Sequence, residues 1–329
     1  MKSLKSSLFI VGLSMLISAP AFADSAYITQ AGIYDVANTN QTAGSNANAI
    51  TVHQGLNSLN SNTETATVTQ NSTVGNNNAT ISQDGYKDNA TIYQYGWSGN
   101  ASISQATDGE YNTATIYQDG SSHNETAVIN QSRGINTGTI NQYGLYDKAY
   151  ITQSSDVNKA TVNQFASSNT ETATISQQNG NSNTGSINQN GINDIASISQ
   201  NSGLNTASIS QNSTSSETAT IWQGGSNGND AHITQTSGSS DTAYIQQNSG
   251  SNTASISQNS TSSETATILQ WGGDRNDANI TQNSGSGDTA TIWQNGNDNI
   301  ASIDQQAGSY KTASVWQVGN SNHASVIQH

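Results

Sequence analysis

Carboxyl side chains recur at one fixed place in the repeats of this 329-residue chain. Each stands two residues before an alanine, and glutamate alternates with aspartate. The members of this acidic column are Glu125, Asp147, Glu171, Asp194, Glu217, Asp241, Glu264 and Asp288. Carboxylates can act as general acids and bases, and oxygen ligands suit calcium. Because the acids form a long series, no two of them stand out as a catalytic pair, and no loop matches an EF-hand.

Other side chains with catalytic potential are few or unpatterned. The histidines His53, His123, His232, His323 and His329 are scattered, and the sequence contains no cysteine. The sequence therefore shows neither metal-ligand spacing nor thiol chemistry. Serine is abundant throughout and carries no nucleophile signature. We expect no catalytic, cofactor or metal site, and we expect that the protein is not an enzyme.

The acids belong to a repeated unit that is seen most plainly at residues 252–258. Asn252, Ala254, Ile256 and Gln258 occupy every second position, and small hydroxyl residues stand between them. A period of two is the period of a β-strand. Each unit is therefore predicted to be a short strand with an Asn, Ala, Ile and Gln inner face and a hydroxyl-rich outer face.

The glutamine that closes each unit marks 26 units between Gln30 and Gln328, spaced 11 to 16 residues apart. Units two and three are the poorest, with Thr39 where Ile belongs and Ile50 where Ala belongs. A 16-residue segment that begins at Thr206 recurs identically 47 residues later, which indicates duplication of a four-unit block.

The composition is unlike that of an ordinary globular protein. Only 9% of the residues are charged and 32% are hydrophobic, with three Phe. Such a polar chain would usually be disordered. A strict repeat argues against disorder, because stacked units share a thin core. The single proline, Pro20, precedes the repeats and so interrupts no strand.

Two strands per turn of a coil would cover the inner faces, whereas a hairpin meander would leave one face open. We therefore predict an all-β, amyloid-like cross-β fold, a two-sheet β-solenoid of about 13 two-strand coils. The inner amides should hydrogen-bond along the axis, because an unpaired buried amide costs about 1–3 kcal/mol. The residues assigned to this inner amide ladder are Gln142, Gln164, Gln189, Gln211, Gln235, Gln258, Gln282, Asn158, Asn205, Asn252 and Asn299.

The N-terminal residues 1–23 have the pattern of a secretory signal peptide. Lys2 and Lys5 precede an apolar run over residues 8–17, and residues 21–23 read Ala-Phe-Ala, a typical cleavage site. The predicted mature chain is one solenoid domain over residues 24–329, with irregular first repeats over about residues 24–60. The net charge of −14 leaves no basic patch for nucleic acid.

Both ends of the predicted solenoid are bare strands. Exposed strand edges are templates for another chain, and a contact between two different ends does not close on itself. We therefore expect head-to-tail filaments. The residues assigned to the fibre-end strands are Ala26, Ile28, Gln30, Ala324, Val326 and Gln328.

Two outward features have two interpretations each. The acidic column is either a solvated ladder that slows premature aggregation, or a device that makes assembly faster at low pH or with divalent cations. An outer apolar stripe near the C-terminus either promotes lateral bundling and adhesion or simply stabilises the sheet by cross-strand stacking. The residues of the outer apolar stripe are Trp222, Leu269, Trp293 and Trp316.

The pattern Gln-x-Gly-x-x-Asn-x-Ala-x-Ile-x-Gln resembles the curlin repeat. Parts of this pattern occur at residues 142–144 (QYG), 158–164 (NKATVNQ) and 205–211 (NTASISQ). The chain resembles curlins, the subunits of bacterial curli amyloid fibres, over essentially all of its predicted mature length. It departs from the short curlin form in having far more than five repeats. It also shows no clear non-repeat targeting segment, and the degenerate residues 33–54 are the candidate for that role.

The resemblance implies a secreted subunit that polymerises with itself into an extracellular fibre at the bacterial cell surface. It also implies an outer-membrane curli secretion pore and a curli nucleator subunit as partners. The implied roles are biofilm matrix, adhesion and surface colonisation, with matrix or host surface contacts left open.

The competing interpretation is a monomeric extracellular binding solenoid, either ice-binding or adhesin-like. Residues 67–69 (TVT) and 102–104 (SIS) point hydroxyls outward, as flat ice-binding faces do. Bulky or charged residues such as Tyr93, Trp222 and Asp304 interrupt those columns.

Overall fold

The structure is a computed structural model that describes residues 24–31, 34–42, 48–55, 63–71, 75–106, 110–120, 123–165 and 169–329. The predicted signal peptide lies outside the described residues, as does part of the irregular stretch at residues 24–60. In the described part of the chain, regular structure consists of 26 strands and no helix. Accordingly, those residues include no helix long and apolar enough to cross a membrane.

Alternate strands belong to alternate sheets, so that two successive strands make one coil. The odd sheet contains β1 Ser25–Gln30, β3 Ala49–Gln54, β5 Asn78–Gln83, β7 Asn100–Gln105, β9 Thr126–Gln131, β11 Lys148–Gln153, β13 Thr172–Gln177, β15 Ile195–Gln200, β17 Thr218–Gln223, β19 Thr242–Gln247, β21 Thr265–Trp271, β23 Thr289–Asn295 and β25 Thr312–Val318. The even sheet contains β2 Val36–Thr42, β4 Thr65–Asn71, β6 Asn89–Gln94, β8 Thr113–Gln118, β10 Thr137–Gln142, β12 Lys159–Gln164, β14 Thr184–Ile192, β16 Thr206–Ser215, β18 Asp230–Thr236, β20 Thr253–Asn259, β22 Asp277–Ser286, β24 Ile300–Ser309 and β26 His323–Gln328.

Each sheet has 13 parallel strands in sequence order, with strand n paired to strand n + 2. This confirms the predicted two-sheet β-solenoid of 13 two-strand coils. The register matches equivalent residues, as where Ile209 pairs with Ile233 and Gln211 with Gln235. A shift by one residue would turn the apolar face outward, so the repeated pattern permits one register.

The core is a thin double layer of alanine and isoleucine between the two sheets. In β17, for example, Ala219 and Ile221 are buried while the alternate residues are half-buried. The irregular units keep the common register, because Ile50 pairs with Ala79 and Thr39 pairs with Val68. Burial weakens at the two ends, where Ala26 and Ala324 are only partly covered.

The turns reverse the chain at a residue that the sequence does not single out. Gly96 and Gly144 stand two residues after a closing glutamine, where glycine would make a positive φ cheap. The left-handed residues in those turns are instead Ser98, with φ of 55°, and Tyr146, with φ of 60°. Even the β-branched Val157 adopts a φ of 58°. Each of these three residues lies two positions before a strand, so the reversal directs the residue that follows it toward the core.

Candidate functional site: the polar columns and the open ends

The glutamine ladder follows the solenoid axis inside the core. Each buried glutamine donates from Nε2 to Oε1 of its counterpart in the next coil, as Gln211 does to Gln235 at 3.0 Å. The same Nε2 also donates across the core to a backbone carbonyl of the other sheet, here to Ile195 at 3.3 Å. The ladder is polar, because every step runs in one direction from donor to acceptor. The predicted glutamine ladder is thus present, with distances of 2.8–3.1 Å along its assigned members.

The asparagine column hydrogen-bonds differently from the amide-to-amide ladder that the sequence predicts. Asn158 Oδ1 accepts the backbone N–H of Asn183 at 3.0 Å, and Asn205 Oδ1 accepts that of Asn229 at 2.9 Å. Their Nδ2 groups donate instead to nearby turn carbonyls, as Asn158 does to Ser155 at 3.0 Å. Asparagine is one methylene shorter than glutamine, so its amide reaches the backbone of the next coil. Amide-to-amide bonds join the column near the C-terminus, where Asn299 Nδ2 donates to Asn276 Oδ1 at 3.1 Å.

The acidic column occupies the position before the odd strands that the asparagine column occupies before the even strands, on the other edge of the core. Its eight members are 0–1% exposed, so the interpretation as a solvated ladder is wrong. The physical reason is strand alternation: a residue two positions before an inner alanine also faces inward. A buried carboxyl cannot be stabilised by water, and the column must satisfy it with hydrogen bonds or protons.

Aspartate and glutamate side chains differ in length and therefore bond to different groups. The shorter aspartates bond to the next coil as asparagine does, and Asp194 Oδ1 accepts the N–H of Glu217 at 2.9 Å. The second oxygen of Asp194 accepts a hydrogen bond from the Thr214 hydroxyl. The longer glutamates reach the turns instead, and Glu171 Oε1 accepts the N–H of Gly191 at 2.6 Å.

Glycine makes room for the carboxyl groups at two later turns. A Cβ added at Gly238 would lie 2.3 Å from Glu217 Oε1 and 2.4 Å from Asp241 Oδ2. Gly285, 47 residues later, lies in the same way against Glu264 and Asp288. The duplicated block therefore preserves a close approach of backbone to paired carboxyl groups, which any side chain would obstruct.

Burial raises the pKa of four carboxyl groups of the column. Desolvation, together with the charges of Asp241 and Asp194, raises the pKa of Glu217 to about 9. Desolvation and the charges of Asp241 and Asp288 raise the pKa of Glu264 to about 8. Burial also raises the pKa of Asp194 and of Asp241, against the hydrogen bonds that those two aspartates accept. Glu217 and Glu264 therefore favour the protonated form near neutral pH.

Sequence reasoning missed buried acids in the even sheet of the N-terminal coils. Glu64 and Asp88 are 0% and 1% exposed. Desolvation is the main cause that raises the pKa of Glu64 to about 8 and that of Asp88 to about 6. Both stand two residues before an alanine, so the rule that found the acidic column would have found them. Within the described residues, no group of three or more His, Asp or Glu side chains is arranged to hold a metal ion.

The outer apolar stripe lies on the odd sheet, with Gln246 interrupting it between Trp222 and Leu269. The rings of Trp293 and Trp316 are 4.1 Å apart, so cross-strand stacking is present. Trp316 nevertheless remains 72% exposed, because it belongs to the last coil, which no described strand covers. Lateral bundling through this stripe stays a prediction.

A second aromatic cluster lies on the even sheet. Tyr117 contacts Tyr95 and Tyr143 at ring-centroid distances of 5.7 Å and 5.6 Å, and Tyr93 lies 6.4 Å from Tyr117. The sequence places Tyr93 and Tyr117 at equivalent positions of two even strands. It does not predict the cluster, because Tyr95 and Tyr143 stand in turns just after the strands.

Each end coil leaves two strands, one in each sheet, with an unpaired edge among the described residues. Within this part of the chain, β1 pairs only with β3 and β2 only with β4, while β25 pairs only with β23 and β26 only with β24. Ala26, Ile28, Ala324 and Val326 are partly buried, whereas their counterparts in the interior coils are fully buried. The fibre-end strands assigned from sequence are therefore the exposed edges of the described solenoid.

Two parallel sheets joined coil by coil around a ladder of buried amides define a β-solenoid repeat protein. The model of the curlin-associated repeat matches residues 75–106 and 273–306, which cover β5 to β7 and β22 to β24. The chain thus carries curlin-associated repeats at two places. No curated protein matches it in a sequence search.

Proposed function

We propose that this protein is a secreted structural subunit that assembles head to tail into extracellular amyloid fibres of the curli type. The observation that carries this proposal is the pair of open ends. The terminal coils present parallel strands with the spacing and register of every interior step, and no described residue covers them. A second copy can therefore continue both sheets and the glutamine ladder.

The biological role follows from the curlin repeats and is also a proposal. Curlin-type fibres are matrix and adhesion structures, so this subunit would contribute to biofilm matrix and surface colonisation. Export through an outer-membrane curli pore and initiation by a nucleator subunit belong to the same proposal. The signal-peptide pattern at residues 1–23 supports export.

The proposal is tested by releasing the purified chain of residues 24–329 from denaturant, with and without fragmented fibres as seeds. We expect thioflavin-positive fibres after a lag, and seeds should remove the lag because they supply ready edges. Heat-dissolved seeds are the control. A chain that stays monomeric, ignores seeds and lowers the freezing point would instead support the ice-binding solenoid.

A further inference from the structure

We infer that the two ends of the solenoid are complementary in charge and in hydrogen-bond direction, and that Lys311 of one copy pairs with Asp24 of the next. This inference rests on the proposed head-to-tail assembly and adds which residues meet at the junction. It concerns the position two residues before the inner alanine, called the column position.

Lys311 is exceptional among the 26 column positions, all of which lie in the described part of the chain. Every other column position holds Asn, Asp, Glu or Gly, and Lys311 alone is cationic. Lys311 stands in the last coil, one coil after Asp288. The Oδ1 of Asp288 accepts the backbone N–H of Lys311 at 2.7 Å. Its ammonium donates to the carbonyls of Gln306 and Ala307, so it stays at the edge of the core.

The column side chains of the first coil carry the opposite charge. Asp24 and Asp35 occupy both column positions of that coil, whereas the second and third coils hold one acid each. If the next copy follows the same step as every interior coil, β1 stacks on β25 and Asp24 stands over Lys311. Successive column side chains approach each other in this chain, because Glu217 Oε1 and Asp241 Oδ2 lie 2.3 Å and 2.4 Å from the point where a Cβ on Gly238 would stand. A lysine between Asp288 and Asp24 of the next copy therefore replaces like-charge repulsion with two attractive contacts.

The glutamine ladders make the two ends complementary in hydrogen-bond direction as well as in charge. At the C-terminal end, among the described residues, Gln317 Nε2 donates to Ile300 O alone at 2.9 Å, and Gln328 Nε2 donates to Thr312 O alone at 3.1 Å. Each amide nitrogen carries two hydrogens, so one donor remains on each. At the N-terminal end, Gln30 donates to Gln54 at 2.8 Å, and no described residue donates to Gln30 Oε1.

Donors at one end therefore face acceptors at the other, and lysine faces aspartate. Two N-terminal ends would instead oppose acids to acids and acceptors to acceptors. Two C-terminal ends would oppose donors to donors. The occupant that fits each end is thus the opposite end of a second copy of this chain.

The test is a charge swap measured by self-seeded elongation of residues 24–329 at low ionic strength. We expect Lys311→Glu and Asp24→Lys each to slow elongation at least about tenfold, since each places like charges at the junction. The double variant should recover to within about threefold of the unaltered chain, because it restores the pair with reversed sign. Lys159→Glu, on the exposed face of β12 far from both ends, makes the same charge change and should elongate normally.

The outcomes separate the two proposals. Single variants that elongate as fast as the unaltered chain, or a double variant slowed by the product of the single effects, would overturn the Lys311–Asp24 pairing alone. Failure of the unaltered chain to form fibres would overturn the assembly proposal and the pairing with it. Lys311→Gln and Asp24→Asn, which remove charge with little change in shape, should slow elongation less than the charge reversals. Equal slowing by the neutral variants would mean that shape and not charge governs the junction.

Discussion

Fibre elongation should stop when a charged helix covers the C-terminal edge of the solenoid. The variant carries an amphipathic helix fused directly after residue 329, with its apolar face on the end of the core and a lysine- and glutamate-rich outer face. The strands β25 and β26 would then no longer be templates, because the helix occupies the place of the next coil. We expect elongation from the variant's own seeds to fall by at least about 100-fold, since a blocked edge leaves no strand to extend.

The capped chain should also act as an inhibitor. Its N-terminal edge is unchanged, so it can add to a growing fibre and then present only the helix to the next subunit. We expect seeded thioflavin growth of the unaltered chain to fall when the capped chain is present in small proportion. The matched control carries the same helix on a flexible Gly/Ser linker of about 30 residues, which leaves the edge accessible most of the time. Equal elongation of the capped and linker variants would contradict growth through this edge.

Assembly should consume protons and become slower as the pH rises from about 5 to about 8. The pKa of Glu217 is raised to about 9 and the pKa values of Glu264 and Glu64 to about 8, mainly by burial, from an ordinary value of 4.5. The solenoid therefore binds more protons than the unfolded chain between these values. Each such carboxyl contributes stability that is fully present below about pH 4.5 and is lost as the pH rises toward 8 or 9, by about 1.4 kcal/mol per pH unit.

This prediction is measured by seeded elongation across pH 4.5–8.5 and by the pH of a weakly buffered solution during assembly. We expect elongation at pH 5 to exceed that at pH 8 by about tenfold or more, and we expect the solution to become more alkaline as fibres form. Glu217 faces Asp194 and Asp241, and Glu264 faces Asp241, Asp288 and Lys311. The charges of these neighbours act on the two glutamates, so the measured midpoint belongs to the column and not to one residue.

The matched variant replaces both glutamates by the neutral amide. Glu217→Gln with Glu264→Gln keeps the side-chain length and a donor toward Asp241, and it removes the need for two protons. The double variant should elongate like the unaltered chain at pH 4.5 and faster at pH 8, with a shallower pH profile. Glu110→Gln makes the same change at an exposed residue and should leave the profile unaltered. A profile that is flat for the unaltered chain, or unchanged by the double variant, would contradict the role of the buried column.

The architecture could be predicted from sequence because the repeat leaves few choices. Ala, Ile and Gln at alternate positions define one inner face, and the closing glutamines allow one register, as the pairing of Gln211 with Gln235 illustrates. The number of strands per coil followed from the need to cover that face. No single residue had to be placed accurately for this result, since 26 similar units support the same conclusion.

The burial of the acidic column could not be read from residue types alone. An acid beside a turn is usually solvated. Strand alternation places Asp241 on the inner face, and the reversal at Ser240, with φ of 61°, brings it into the core just before β19 begins. Residues in such turns are chemically ordinary, so the sequence does not reveal their left-handed backbone. The bonding of Asn158 to the next backbone N–H depends on one methylene of side-chain length, which a strand-period argument does not resolve. Glu64 and Asp88 were missed because the column changes from the even to the odd sheet between the third and fifth coils.

In the proposed fibre, a whole chain of 13 stacked coils adds to a fibre end as one unit. Mass per unit length of single, unbundled filaments, from dark-field scanning transmission electron microscopy, measures this mode of addition. At ~4.8 Å per coil, one chain spans roughly 60 Å of the axis and gives about 5 kDa per nm. An amyloid in which each chain forms a single layer would be 13 times heavier per unit length. We expect a value near about 5 kDa per nm, and a value near about 65 kDa per nm would show that the chains do not stack as solenoids.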